Sequence, residues 1–347
     1  MNTEINEQNN DYQTPPCVLI TGAAGYIGST LVRQIIDAGY AVLAVDQMYF
    51  GEESLADLRM NPYFTLLKCD ICTIDISYFR NVIAVVDLAA ISNDPAAELD
   101  PRWTDSVNHL ARVRVAKLAE KSGVSRYILV SSCSVYGNAS FEEVDEKSSV
   151  NPLTAYSRAG AQAEKTTLAM ATHNFSPCVL RLGTVYGISY RMRFDVVVNT
   201  MTLNAYRLGK ITLHGGGMQW RPHINVRAVG TAILATLTVP HEEITGQIFN
   251  IGEINLRISD VANLVQDAFK ENLERYIEIQ SDGYNPDQRN YRVNFSKAAS
   301  VLKFQPKMSM KREIKNLTTR LADGTIVDTP STYTTSWYKN LLECVKI

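Results

Sequence analysis

Three glycines and one acid carry the first recognisable chemistry in this sequence. Gly22, Gly25 and Gly28 recur at intervals of three, and Asp46 stands eighteen residues after the last of them. Glycines so spaced let backbone N–H groups approach a phosphate, because no Cβ stands in the way. An acidic side chain at that remove can accept the hydroxyls of an adenosine ribose. A phosphate turn followed by a ribose acceptor is the chemistry these four residues imply.

Such a turn must sit between a strand and a helix. Cys17–Ile20 is a short apolar run suited to a strand, and Ile27, Leu31, Ile35 and Ile36 recur at helical spacing before Gly39. Gly22 allows the tight turn, Gly25 the approach of a phosphate, and Gly28 close packing of helix on strand. The next apolar run, Ala41–Val45, ends in Asp46. Strands follow at Tyr63–Cys69, Val82–Ala90, Tyr127–Val130 and Cys178–Leu182, with long helical patterns over 102–122 and about 154–173. Val82–Ala90 is almost continuously apolar, as in a strand buried on both faces. Alternating strands and helices predict an α/β fold with a doubly wound parallel sheet over 17–187. Beyond Gly187 the pattern loosens into a smaller mixed α/β region, 188–321, whose run at about 247–252 returns to the main sheet. Residues 1–16 are polar and read as a disordered tail. The extension 322–347 either packs back or stays mobile.

Bulk numbers narrow the function. The chain has 347 residues, 46% of them apolar, and a net charge of −2. No block of Lys and Arg appears, which argues against nucleic acid or a membrane surface as partner. The polar start is no signal peptide and no run is long enough to span a bilayer. Six scattered cysteines then predict reduced thiols in a cytoplasmic protein. Cys69 and Cys72 form a C-x-x-C without a second pair or a nearby His, which reads as structural. The five histidines lie far apart, so no metal site is expected.

Taken together, a longer set of motifs resembles the extended short-chain dehydrogenase/reductases, in the group of NAD-dependent nucleotide-sugar epimerases and dehydratases. The set comprises Thr21–Gly28, Asp46, Asp70, Leu88–Ala90, Asn108, Ser131–Gly137, Pro152 to Tyr156, Arg181 to Gly187, Gln219–Pro222 and Asp287 to Tyr291, in the family's order over about 17–321. The resemblance implies a Rossmann sheet, NAD as cofactor and a nucleotide diphosphate sugar as substrate. It assigns the NAD pyrophosphate to Gly22, Gly25 and Gly28, with Tyr26 and Ile27 in the same turn. Asp46 would take the adenosine ribose, Asp70 and Ile71 would flank the adenine, and Leu88, Ala89 and Ala90 would lie along the cofactor. Asp46 with no adjacent Arg favours NAD over NADP. Ser132 and Tyr156 match the family's catalytic hydroxyls, the serine orienting a sugar hydroxyl whose proton the tyrosine exchanges. Arg221 and Arg289 are the first choices for the substrate's phosphates, with Arg191 and Arg193 as further candidates. The family also implies a homodimer through the helices at 102–122 and 154–173, with Val107, Leu110, Val113, Leu118 and Leu168 available for the seam.

The sequence departs from the family at one decisive position. The active-site pattern is Tyr-x-x-x-Lys, and Gly160 stands where the lysine belongs. A lysine there shares the helix face of Tyr156 and lowers its pKa. Unassisted, a tyrosine of pKa about 10 is phenolate in only about one molecule in a thousand at pH 7. Lys165 and Arg158 point to other sides of the helix. Glycine inside a helix costs roughly 1 kcal/mol relative to alanine. Three readings stay open: close approach of a neighbour, a retooled site, or an engineered loss. Cys133-Ser134 also replaces the Asp-Glu pair of the 4,6-dehydratases, which favours epimerase over dehydratase chemistry. Net oxidoreduction and a non-catalytic NAD-binding protein remain as alternatives.

Overall fold

The computed structural model describes residues 15–283, 287 and 289–345. The expected N-terminal tail therefore falls almost wholly outside the described residues. Seven parallel strands form the central sheet, in the order Ile248–Ile251, Ser176–Leu182, Arg126–Ser132, Val82–Asp87, Cys17–Thr21, Ala41–Asp46 and Phe64–Lys68. Its strands are apolar on both faces because both are covered. Val18 and Ile20 pack on one side with Leu31, Val32, Val229 and Ile233, while Leu19 packs on the other with Val115, Ala119 and Ala163. The winding reverses between Cys17–Thr21 and Val82–Asp87, so a crevice opens beyond their carboxyl ends.

A second, smaller layer covers that end. Thr184–Tyr186, Trp220–Asn225 and Ile254–Arg257 form a three-stranded sheet. Helices Val197–Leu208, Ile258–Leu273 and Met310–Ala322 share a core around Met201, Val265, Phe269 and Ile314. The C-terminal extension packs back: a turn at Pro330–Thr332 leads into helix Thr334–Val345, whose Tyr338 is buried beside Ile91 and Ala96. Among the described residues, no helix is long and apolar enough to cross a membrane.

The helical pattern over 102–122 is not one α-helix. Pro101–Asp105 and Arg112–Lys121 are α-helical, but Ser106–Ala111 between them is π-helical. Asn108 explains the widening. Its side chain accepts the Ile91 N–H at 2.7 Å and donates to the Ile91 carbonyl at 3.0 Å, pinning the helix to the loop after Val82–Asp87. Of the seam candidates, Leu110 is exposed, whereas Val113 is buried and Leu118 and Leu168 pack against this chain's own core.

A buried carboxylate ties the strand ends together. Asp87 accepts from Thr21 Oγ1 at 2.5 Å, from the Tyr127 hydroxyl at 2.6 Å and from Arg112 Nε at 3.1 Å. Arg112 also donates to the carbonyls of Asp87 and Val130, and is itself 3% exposed. Removing one partner of such a pair strands the other charge in the core. Asp87→Ala is therefore expected to cost about 3–5 kcal/mol, read as a lowered midpoint in urea unfolding. A loss below about 1 kcal/mol, the worth of an exposed pair, would refute this account.

Candidate functional site

The glycine turn owes its shape to the loop beneath it. Thr21 Oγ1, besides donating to Asp87, accepts the N–H groups of Leu88 and Ala89, each at 3.1 Å. That holds the Leu88–Ala89 peptide hard against the turn. A Cβ on Gly22 would lie 2.9 Å from Ala89 N and Leu88 C, and Gly22 has a φ of +67°. A Cβ on Gly28 would lie 2.2 Å from the Gly22 carbonyl oxygen. Both positions admit only glycine. Asp46 closes the far side, accepting Ala24 N–H at 2.9 Å and Met48 N–H at 2.8 Å. Burial pushes its carboxyl up, while the two amides and the charge of Arg191 pull it down.

From this turn a cavity of about 710 Å³ runs into the second layer. Its wall includes the three glycines with Tyr26 and Ile27, then Asp46, Asp70 with Ile71, and Leu88 to Ala90. Ser132, Tyr156, Arg191, Arg193, Arg221 and Arg289 line it too. The residues expected to bind therefore share one cleft.

Tyr156 occupies the first turn of helix Ala155–Leu168. Thr154 caps that helix reciprocally with Ser157, and its hydroxyl donates to Asp94 at 2.6 Å. The Tyr156 hydroxyl has no hydrogen-bond partner among the described residues. Burial, and next the carboxylate of Asp94, push its phenol above the ordinary value, against the guanidinium groups of Arg112, Arg193 and Arg289. Ser132 ends strand Arg126–Ser132, and its hydroxyl accepts Ser134 N–H at 3.1 Å. Cys133 turns inward to the Arg181 carbonyl, and burial pushes its thiol up. Ser134 lines the cavity with a buried hydroxyl that has no partner.

No neighbour crowds Gly160. A Cβ there would meet nothing nearer than Ser131 Oγ at 3.7 Å, an ordinary contact. Close approach is therefore not the reason for glycine at this position.

Sequence reasoning singled out the arginines, and Asp287 as part of a motif, but not the pairing between them. Arg221 donates to Asp287 at 2.7 Å; Arg289 grips the same carboxylate through Nε and NH2 and also binds Asp94. Burial favours the protonated form of Asp287, yet hydrogen bonds from Arg289 and the charge of Arg221 outweigh it and hold the carboxyl well below its usual range. Arg193 forms a two-point fork with Asp195. Arg191 lies elsewhere, its guanidinium 3.7 Å above the Phe50 ring. Asp195 and Asp287 each stand two residues from an arginine, a spacing that could have exposed them; nothing in the sequence pointed to Asp94. Thr335 and Tyr338 of the C-terminal segment also line the cavity, and no motif marked them. The C-x-x-C thiols are unpaired, and burial followed by Asp70 pushes Cys72 up to about 11, so neither is an activated nucleophile.

Residues 18–252 match the NAD dependent epimerase/dehydratase family. The chain belongs to that family. Its cofactor is NAD, and the glycine cradle, which a single Cβ would fill, fits a pyrophosphate. The chain is 26% identical to an uncharacterized UDP-glucose epimerase, YtcB, of Bacillus subtilis, over 86% of this chain and 96% of that protein. It is likewise 26% identical to the dTDP-D-glucose 4,6-dehydratase of Mus musculus, over 86% of each chain. Among solved structures, MoeE5 in complex with UDP-glucuronic acid and NAD superposes with a TM-score of 0.76 at 25% identity, covering 88% of this chain and 99% of that one.

The glycines of this family member make opposite predictions. Gly22→Ala drives a methyl into the Leu88–Ala89 peptide and is expected to abolish NAD retention, measured as nucleotide released from acid-treated protein. Gly160→Ala adds a methyl at ordinary contact distance from Ser131 Oγ and should raise stability by about 0.5–1 kcal/mol through helix propensity, read from thermal unfolding. A destabilised Gly160→Ala would show that this position must stay empty for a reason other than contact with Ser131.

Proposed function

We propose that the protein is an NAD-dependent epimerase of a nucleotide diphosphate sugar. One observation carries the reading: the Tyr156 hydroxyl, with no partner among the described residues, stands in the same cleft as the glycine cradle and Ser132. The pyrophosphate rests on Gly22, Gly25 and Gly28 at the N-terminus of helix Gly28–Asp37, where N–H groups converge. Tyr26 and Ile27 complete that turn, and Asp46 faces the adenosine ribose. Asp70 and Ile71 flank the adenine, and Leu88, Ala89 and Ala90 run along the dinucleotide. Bound NAD supplies hydride acceptance and return at one sugar carbon. Tyr156 takes the proton from that carbon's hydroxyl and later gives it back, while Ser132 orients the oxygen. Arg221 and Arg289 meet the diphosphate, their forks held by the shared Asp287. Arg193, whose fork grips Asp195 in the same cleft, is a further candidate for that contact.

Epimerisation is favoured over dehydration by what stands at 133 and 134. Elimination of water needs an acid and a base beside the reacting carbons. Cys133 faces the core and Ser134 offers a hydroxyl. Asp94 does bring a carboxylate to the cleft, but Arg289 and Thr154 occupy it. Gly160 favours a second reading, a protein that holds NAD and a nucleotide sugar without turnover. Assaying UDP- and dTDP-sugars by NMR for the epimeric product separates the two.

In that assay Tyr156→Phe should lower turnover by about 10²-fold or more with bound NAD unchanged. Wild-type turnover should climb with pH through about 10, since the phenolate is the working base and its pKa lies above the ordinary value. Gly160→Lys adds a cation one turn from the phenol. It should move that rise to lower pH and raise the rate at pH 7. Turnover by Tyr156→Phe equal to wild type would remove Tyr156 from the mechanism.

A further inference from the structure

Arg191 differs from the other arginines of the cleft. Arg193, Arg221 and Arg289 each hold a carboxylate, whereas no carboxylate among the described residues lies within salt-bridge distance of Arg191. Its side chain lines the cavity and is more than nine-tenths buried. One nitrogen donates to the Ser331 carbonyl at 3.0 Å and Thr334 Oγ1 at 3.1 Å, while Nε is buried without a partner. Taking a cation out of water with no carboxylate in direct contact is costly, so such a site favours an added anion. Burial, followed by the nearby charge of Arg193, depresses its pKa to about 10, against the opposing charges of Asp195 and Asp46.

The position of Arg191 indicates which anion. Its backbone N–H donates to Ser29 Oγ at 3.2 Å, in the first turn of the glycine helix. Its guanidinium stacks on Phe50, four residues beyond Asp46. It therefore sits between the phosphate turn and the loop behind the ribose acid. Arg221 and Arg289 gather instead around Asp287.

We propose that Arg191 binds a phosphate of NAD rather than of the sugar nucleotide, and that the C-terminal segment is the wall that holds it there. This rests on the dinucleotide reading of the cleft. The segment is tied to every side of that site. Thr334 N–H donates to Asp195, Phe194 N–H to the Thr332 carbonyl, and Trp337 Nε1 to the Tyr49 carbonyl at 2.6 Å. Tyr338 is buried edge-on against Tyr49, Phe50 and Trp103. Thr335 reaches Asn93 at 3.3 Å. Anchoring the guanidinium through residues 331 and 334 spares the cofactor the entropy of ordering a long side chain.

The test uses the full chain with Arg191→Met, Arg191→Lys and Trp337→Ala. Calorimetry measures NAD and UDP affinities on cofactor-stripped protein, and NAD per chain is measured as purified. Arg191→Met should lose about tenfold or more in NAD affinity, with UDP affinity within about twofold of wild type. Arg191→Lys should fall between, since it keeps the charge but not the fork. Trp337→Ala should weaken NAD binding in the same direction by less. If Arg191→Met loses UDP affinity and keeps NAD, the cation belongs to the substrate and the proposal fails. It fails equally if both affinities fall together with a lowered melting temperature that lysine restores, or if neither changes. Wild-type protein that takes up no NAD would overturn the dinucleotide reading itself.

Discussion

The carboxylate of Asp87 is the interaction on which the cleft depends. It lies at the end of a central strand with no solvent exposure, and three side chains converge on it. Two of them come from neighbouring strands and the third from the helix that follows the π-helical turn. Thr21 uses its hydrogen to reach Asp87, which turns its lone pairs toward the amides of Leu88 and Ala89. The floor of the phosphate turn is therefore set by a buried charge one residue below it. Gly22 is glycine because that floor leaves no room for a methyl.

Much of this was legible in the residues because it is local. Strand, turn and helix around Gly22–Gly28 follow from apolar spacing and from the steric demands of glycine. The central strands read as continuous apolar runs because both faces are covered. Tyr156 and Ser132 were legible through a family resemblance, and the cleft brings them together with the glycine turn. What was not legible is pairing across the chain. Arg289 meets Asp94 across 195 residues and Arg191 meets Thr334 across 143. Composition counts such charges without matching them. Four arginines were assigned to one diphosphate; three turn out to be paired with carboxylates and the fourth stacks on Phe50. The C-terminal wall escaped because its contribution is a row of aromatic contacts and single hydrogen bonds, with no repeat or spacing to announce it. The π-helical stretch escaped because its cause, the hold of Asn108 on Ile91, lies outside the helix.

These pairings bear on the missing lysine. Arg112, Arg193 and Arg289 all act on Tyr156, but Asp87, Asp195 and the pair Asp94 and Asp287 stand beside them. The field at the phenol is thus that of neutralised pairs, and Asp94 adds a term that opposes ionisation. The helix N-terminus offers some compensation, because Tyr156 lies in its first turn. A macrodipole interaction is worth about 0.3–1 kcal/mol, and one pKa unit is about 1.36 kcal/mol, so the helix supplies less than one unit. A lysine at 160 would add a cation on the helix face of Tyr156, one turn from Glu164, whose carboxylate is already held by Arg181 and Ser131. What glycine at 160 withholds is therefore a charge: a Cβ there meets only an ordinary contact with Ser131, so no backbone crowding dictates glycine.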